Sequence, residues 1–122
     1  MEVVQPPPER HVLIVEDDPI SRDILVAVLE EEGYTVSAAG DGRAGLSELR
    51  GHPTSVVVLD MAMPDMNGWA FLAAKAQIPE AAAVPVVVVS GSAPPRSTRG
   101  IFAWLEKPFA FDVLLRALKP WR

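Results

Sequence analysis

Three runs of apolar residues, HVLIV at 11–15, VVVL at 56–59 and VPVVVVS at 84–90, constrain this chain more than anything else in it. Each is short, rich in β-branched residues and free of polar alternation. A strand with one face in water alternates apolar and polar residues, whereas a strand covered on both faces does not. The runs therefore predict a parallel sheet with helices on both sides. YTVSAA at 34–39 and IFAWL at 101–105 are weaker strand candidates.

Helical stretches fill the intervals. Asp18-Pro19 supplies an N-cap and a proline at the first helical position, and Gly33 a C-terminal stop. Ile20, Ile24, Val28 and Leu29 are expected on its inward face. Asp41 can cap a second helix carrying Ala44, Leu46 and Leu49, and Asn67 a third carrying Phe71, Leu72 and Lys75. Phe109 to Leu118 reads as a last helix with Leu114, Leu115 and Leu118 inward and Pro120 beyond it. Strands alternating with helices in this order predict an open doubly wound α/β domain. Such domains carry their sites where the C-terminal strand ends meet a topological switch point.

The 122 residues suffice for one domain, expected over 11–122. Residues 1–10, with Pro6, Pro7 and Pro8, read as a flexible N-terminal arm. A net charge of −5 speaks against a nucleic-acid surface, which needs clustered Lys and Arg. The absence of cysteine excludes disulfides, thiolate nucleophiles and Cys-ligated zinc. His11 and His52 are expected at the surface, without the partners that a His metal site requires. No apolar run is long enough to span a membrane, and the N-terminus lacks the pattern of a signal peptide. A cytoplasmic protein is the expectation.

Polar residues stand at the end of each main run: Glu16, Asp17 and Asp18 after the first, Asp60 after the second, Ser90 after the third, and Lys107-Pro108 after IFAWL. All should open on one sheet edge. Two carboxylates about 5 Å apart repel by roughly 3 kcal/mol at an effective dielectric near 20, so gathered acids call for counter-charge. Lys107 supplies one cation. An all-oxygen donor set without His or Cys points to Mg²⁺, with Mn²⁺ a possible substitute. A Ser hydroxyl, a Lys ammonium and loop N–H groups suit a phosphoryl group, and Asp60 could act as a carboxylate nucleophile.

These pieces, LIVEDDP at 13–19, VVVLDMAMPDMNG at 56–68, VVVVSGS at 86–92 and WLEKPF at 104–109, resemble the receiver domains of two-component response regulators, CheY-like proteins of flavodoxin-like fold. The resemblance runs from about His11 to Leu118. The spacings of 43 residues from Asp17 to Asp60 and 30 from Asp60 to Ser90 are similar to the family pattern. It implies five parallel strands in the order 2-1-3-4-5. It also implies that Asp60 accepts phosphate from a sensor histidine kinase or a histidine phosphotransfer protein. Asp17, Asp60, the main-chain carbonyl of Ala62 and, through water, Glu16 would hold Mg²⁺, and Ser90 and Lys107 would hold phosphoryl oxygens. The Lys107–Pro108 bond would be cis, Pro64 and Gly68 would shape the turn after Asp60, and Ser90 and Trp104 would form the switch. The implied role is that of a phosphoryl-acceptor signalling domain, assisting only its own phosphotransfer and autodephosphorylation and acting through contacts with a downstream protein, without nucleic acid or membrane. As given, the chain reads as a single-domain regulator.

Plainer readings stand beside these. Asp18 fits a helix cap better than a ligand, Met61, Met63 and Met66 fit packing, and Trp104 could be a packing residue without a switching role. Only 17 steps separate Ser90 from Lys107, fewer than is usual in the family, and GSAPPRSTRG between them holds Pro94 and Pro95 and no amphipathic pattern. The fourth helix is therefore expected to be shortened, irregular or missing, on the face that usually binds partners. A phosphatase of the haloacid-dehalogenase type would need an acid at Ala62, and a nucleotide-binding enzyme a Gly-rich loop in place of VEDDP. The alternative kept open is a phosphorylation-independent receiver-like protein-binding module.

Overall fold

The computed structural model describes residues 10–122. Five strands, β1 (His11–Val15), β2 (Thr35–Ala39), β3 (Val56–Asp60), β4 (Val86–Ser90) and β5 (Ala103–Glu106), form one parallel sheet in the order β2-β1-β3-β4-β5. Four helices accompany them: α1 (Pro19–Glu31), α2 (Gly42–Gly51), α3 (Gly68–Ala76) and α4 (Phe111–Ala117), followed by a 3₁₀ turn at Lys119–Trp121. The expected doubly wound order is borne out. The arm expected at residues 1–10 lies, apart from Arg10, outside the described residues. No described helix is long and apolar enough to cross a membrane.

Strand alternation divides the core in two. Val12, Ile14, Val56, Val58, Val87 and Val89 pack under Leu25 and Leu29 of α1 and against Leu114 and Leu118. Leu13, Val15, Val57, Leu59, Val86 and Val88 pack against Leu46 and Leu49 of α2 and Phe71 of α3. The three central strands are buried along their whole length, which is why they contain no polar residue until their ends. Each fully buried side chain of this kind contributes about 1.5–3 kcal/mol by removal from water.

Three local expectations need correction. On α1 Leu29 is inward as expected, but its buried companion is Leu25, while Ile20 and Ile24 are exposed. On α2, Gly42 and Gly45 face inward with Leu46 and Leu49, and Ala44 is exposed. His11 is buried, its Nε2 lying 2.7 Å from Ser37 Oγ. His52 does stand exposed, paired with Glu48.

The connection from β4 to β5, residues 91–102, contains no helix. Its exposed residues are held by a few main-chain bonds, among them Ile101 N–H to Thr98 O and Phe102 N–H to Val86 O. Pro94 and Pro95 lack the N–H groups that a helix would use there, and no apolar stripe exists to reward one.

Candidate functional site

Register decides what meets at the C-terminal edge. Val15 is level with Leu59, so Glu16 is brought beside Asp60. Asp60 is level with Val89 and Ser90 with Glu106, so Ser90 and then Lys107 follow one step higher. Glu16, Asp60 and Lys107 continue the sheet face of Ile14, Val58 and Leu105, which lies under α1. Ser90 continues the opposite face, that of Val86 and Val88.

Glu16, Asp17 and Asp60 each offer a carboxylate oxygen, all within 4.8 Å of one another. Glu16 and Asp60 are buried and Asp17 half-buried. Lys107 Nζ lies 3.5 Å from Glu16 Oε1 and 3.8 Å from Asp60 Oδ2. Asp60 Oδ1 accepts the Ala62 N–H at 3.0 Å. Glu16 Oε2 is buried and without a hydrogen-bond partner. Burial first, then the neighbouring Asp60 carboxylate, push the Glu16 carboxyl up to about 8 despite the opposing Lys107. Such a cluster is short of positive charge. An orphaned buried oxygen beside two other carboxylates, with no nitrogen or sulfur donor, fits a hard divalent cation.

Asp18 takes no part. Its carboxylate accepts the Ser21 N–H at 3.0 Å, and Ser21, through its side chain first and then this backbone N–H, holds its pKa below the usual value. Asn67 caps α3 through Ala70 N–H, and the Gly68 N–H donates to Met61 O, closing the turn after Asp60. A Cβ at Gly68 would lie 2.8 Å from Met61 Cα, so the turn can close only over glycine. Lys107 is followed by a cis peptide bond to Pro108, and its N–H donates to Ser90 O at 2.6 Å.

Ser90 Oγ accepts the Ser92 N–H at 3.1 Å. Trp104 is half-buried on the Ser90 face, and its Nε1–H donates to Ser92 O at 2.9 Å. Its ring lies 6.0 Å from that of Trp69 at the start of α3. Both line a cleft of about 420 Å³ with Met61, Ser90 and Pro95. Two participants escaped the sequence reading. Trp69 shows no signal in sequence beyond its place after Gly68. Arg22 donates from Nη1 to the main-chain carbonyl of Glu16 at 3.0 Å, and the only sequence cue is an arginine one turn into the helix that follows the acids.

Residues 12–119 match the response regulator receiver domain family. The chain is 37% identical over 87 residues to a protein-glutamate methylesterase/protein-glutamine glutaminase of Nitrosospira multiformis, covering 70% of this chain and 24% of that protein. It is 32% identical over 111 residues to the transcriptional regulatory protein GlrR of Escherichia coli, covering 88% and 25%. The chain thus spans about a quarter of the length of these curated relatives. Among solved structures, the chemotaxis protein CheY4 of Vibrio cholerae superposes with a TM-score of 0.86 at 28% identity, covering 93% of this chain and 99% of that one.

Proposed function

The chain belongs to the response regulator receiver domain family, and from that membership we propose that it is a phospho-accepting receiver whose acceptor is Asp60. The receiver domain is taken to occupy residues 11–122, in a cytoplasmic protein. The observation that carries the reading is the meeting of Glu16, Asp17 and Asp60 within 4.8 Å, with Lys107 reaching two of them and Glu16 Oε2 left without a partner.

The donor is a phosphohistidine on a sensor histidine kinase or histidine phosphotransfer protein. An Asp60 carboxylate oxygen attacks phosphorus, a P–O bond forms, the P–N bond breaks, and the imidazole leaves with the bonding pair and takes up a proton. Asp60 Oδ1 is held by the Ala62 N–H, which fixes the carboxylate plane and leaves Oδ2 toward Lys107. Lys107 and the Ser90 hydroxyl hold oxygens of the transferred group. The carboxylates of Asp17 and Asp60, the Ala62 carbonyl and, through water, Glu16 form the set that would hold Mg²⁺ or, in its place, Mn²⁺. Bound there, the cation would offset the negative charge of carboxylate and phosphoryl group as they approach. Ser90 must give up the Ser92 N–H to turn toward the acceptor. Because Trp104 bonds the carbonyl of that same Ser92, the ring is tied to the loop that would move. Signalling then proceeds through contacts with a downstream protein.

Acetyl phosphate with Mg²⁺ should add one phosphoryl group, read by intact mass, and Asp60→Asn should add none. An Asn variant that labels as fully as the parent removes Asp60 as acceptor. A parent that never labels, with donor and metal in excess, favours a phosphorylation-independent binding module.

A further inference from the structure

Arg22 lies beside the acid cluster yet approaches it from behind. Its backbone N–H donates to Asp18 O at 2.9 Å, which places it one turn into α1. From there Nη1 lies 3.0 Å from Glu16 O and 3.5 Å from Asp17 O. Among the described residues it forms no ion pair with a carboxylate. The guanidinium thus holds the main chain of the two residues whose side chains face the centre. On its other side the same turn is tied to β2, for Glu16 N–H donates to Ala39 O at 3.0 Å. The next residue is Gly40, where a Cβ would lie 3.0 Å from Arg22 Nη1. A side chain at residue 40 would press the guanidinium out of this place by a few tenths of an ångström.

We infer that Arg22 is a positioning residue for the divalent-cation site. It fixes the turn after β1 so that Glu16 and Asp17 present their carboxylates together. The inference rests on the cation reading given above. Its sign makes it testable. If Arg22 acted only as a nearby positive charge it would repel the cation, and removing it would tighten binding. As a tether it does the opposite, since its loss frees two ligand-bearing residues.

Mg²⁺ titrations of the unphosphorylated protein, followed by the amide NMR shifts of residues 15–18 and 60–62, give the dissociation constant without recourse to activity. Arg22→Met keeps a helix-compatible side chain of similar reach and should weaken binding about 10-fold, the lower end of what loss of a ligand-orienting partner costs. Arg22→Lys keeps the charge but replaces the planar fork with a single ammonium, and should recover only part of the loss. Gly40→Ala keeps Arg22 intact, crowds its guanidinium and should weaken binding in the same direction. In the metal-free protein, Arg22→Met should also speed hydrogen exchange at the Glu16 amide while distant β4 amides keep their protection. If Arg22→Met binds Mg²⁺ as tightly as the parent or more so, the tether is overturned and the cation site stands. If the parent shows no Mg²⁺-dependent shifts, the cation site fails and the inference with it.

Discussion

At the C-terminal edge of the sheet, the corner over β1 and β3 and the corner over β4 and β5 are built differently. In the first, the acids end or follow fully buried strands, Asp60 is fixed by the Ala62 N–H, and the turn after β1 is tied to both β2 and α1. In the second, residues 91–102 form a mostly exposed stretch without a helix, tied by a Trp104 hydrogen bond to Ser92 O, by Ile101 at the core edge and by the Phe102 ring against Trp121. Chemistry at a strand tip needs a few groups held within fractions of an ångström, so it is carried by the most buried part of the sheet. Readout needs a segment that can move, and such segments come from the weakly packed end of the stability range. Loss of one helix can therefore alter the reading surface while leaving the reacting groups in register.

The sharpest way to break this contrast is to substitute one side chain that reaches into each corner and follow labelling by acetyl phosphate. Lys107 stands after β5, but its ammonium faces the acids over β1 and β3. Lys107→Ala removes the cation facing Glu16 and Asp60 and should slow labelling about 100-fold, the scale expected for losing one preorganised charge partner of the transferred group. Trp104→Phe should label at nearly the parent rate and lose part of the change in tryptophan emission that accompanies labelling. A Trp104→Phe variant as slow as Lys107→Ala would show that the two corners are not separable.

Glycines test the packing side of the contrast. A Cβ at Gly45 would lie 2.9 Å from Val15 Cγ2 and 3.0 Å from Phe71 Cε2, both on fully buried residues. Gly45→Ala should cost about 1–3 kcal/mol through overpacking, less roughly 0.5–1 kcal/mol returned by helix propensity. A Cβ at Gly91 would meet nothing within 4 Å, and Gly91→Ala should stay within about 0.5 kcal/mol of the parent. Urea denaturation decides; equal losses at both positions would mean that the β4–β5 corner is as tightly packed as the other.

The same contrast governs what could be read from the amino acids. β1, β3 and β4 were legible because burial on both faces leaves an unbroken apolar run, and the candidate site was legible because polar residues stop those runs at one edge. The helix-free connection was foreshadowed by Pro94 and Pro95. The inward face of α1 was legible only at Leu29, since its apolar residues form overlapping stripes and only packing on Val12 and Ile14 selects Leu25 over Ile20 and Ile24. Gly42 and Gly45 were passed over because what they contribute is close approach, which no hydrophobicity pattern records. Lys75, buried with its Nζ bonded to Ala82 O, was placed on α3 with no hint of its partner. Arg22 escaped because it acts on carbonyls, and carbonyls are the same in every residue.

A subtler test lies in how the acid corner responds to pH. The Glu16 carboxyl, ordinarily at 4.5, is raised in the fold to about 8. Between those values the folded protein retains a proton that the unfolded chain has released, so each step up in pH favours unfolding. The stabilisation is complete below 4.5 and gone once pH passes about 8. In the absence of metal, the thermal midpoint should therefore fall across this window, and Glu16→Gln, which cannot ionise, should flatten that fall. Added Mg²⁺ should act most strongly at the upper end, where it meets an ionised Glu16, so the metal-induced rise in midpoint should grow with pH in the parent and much less in Glu16→Gln. A variant that keeps the full slope of the parent would place the cost of ionisation elsewhere in the molecule. It would also remove the reason for regarding the acid corner as short of positive charge.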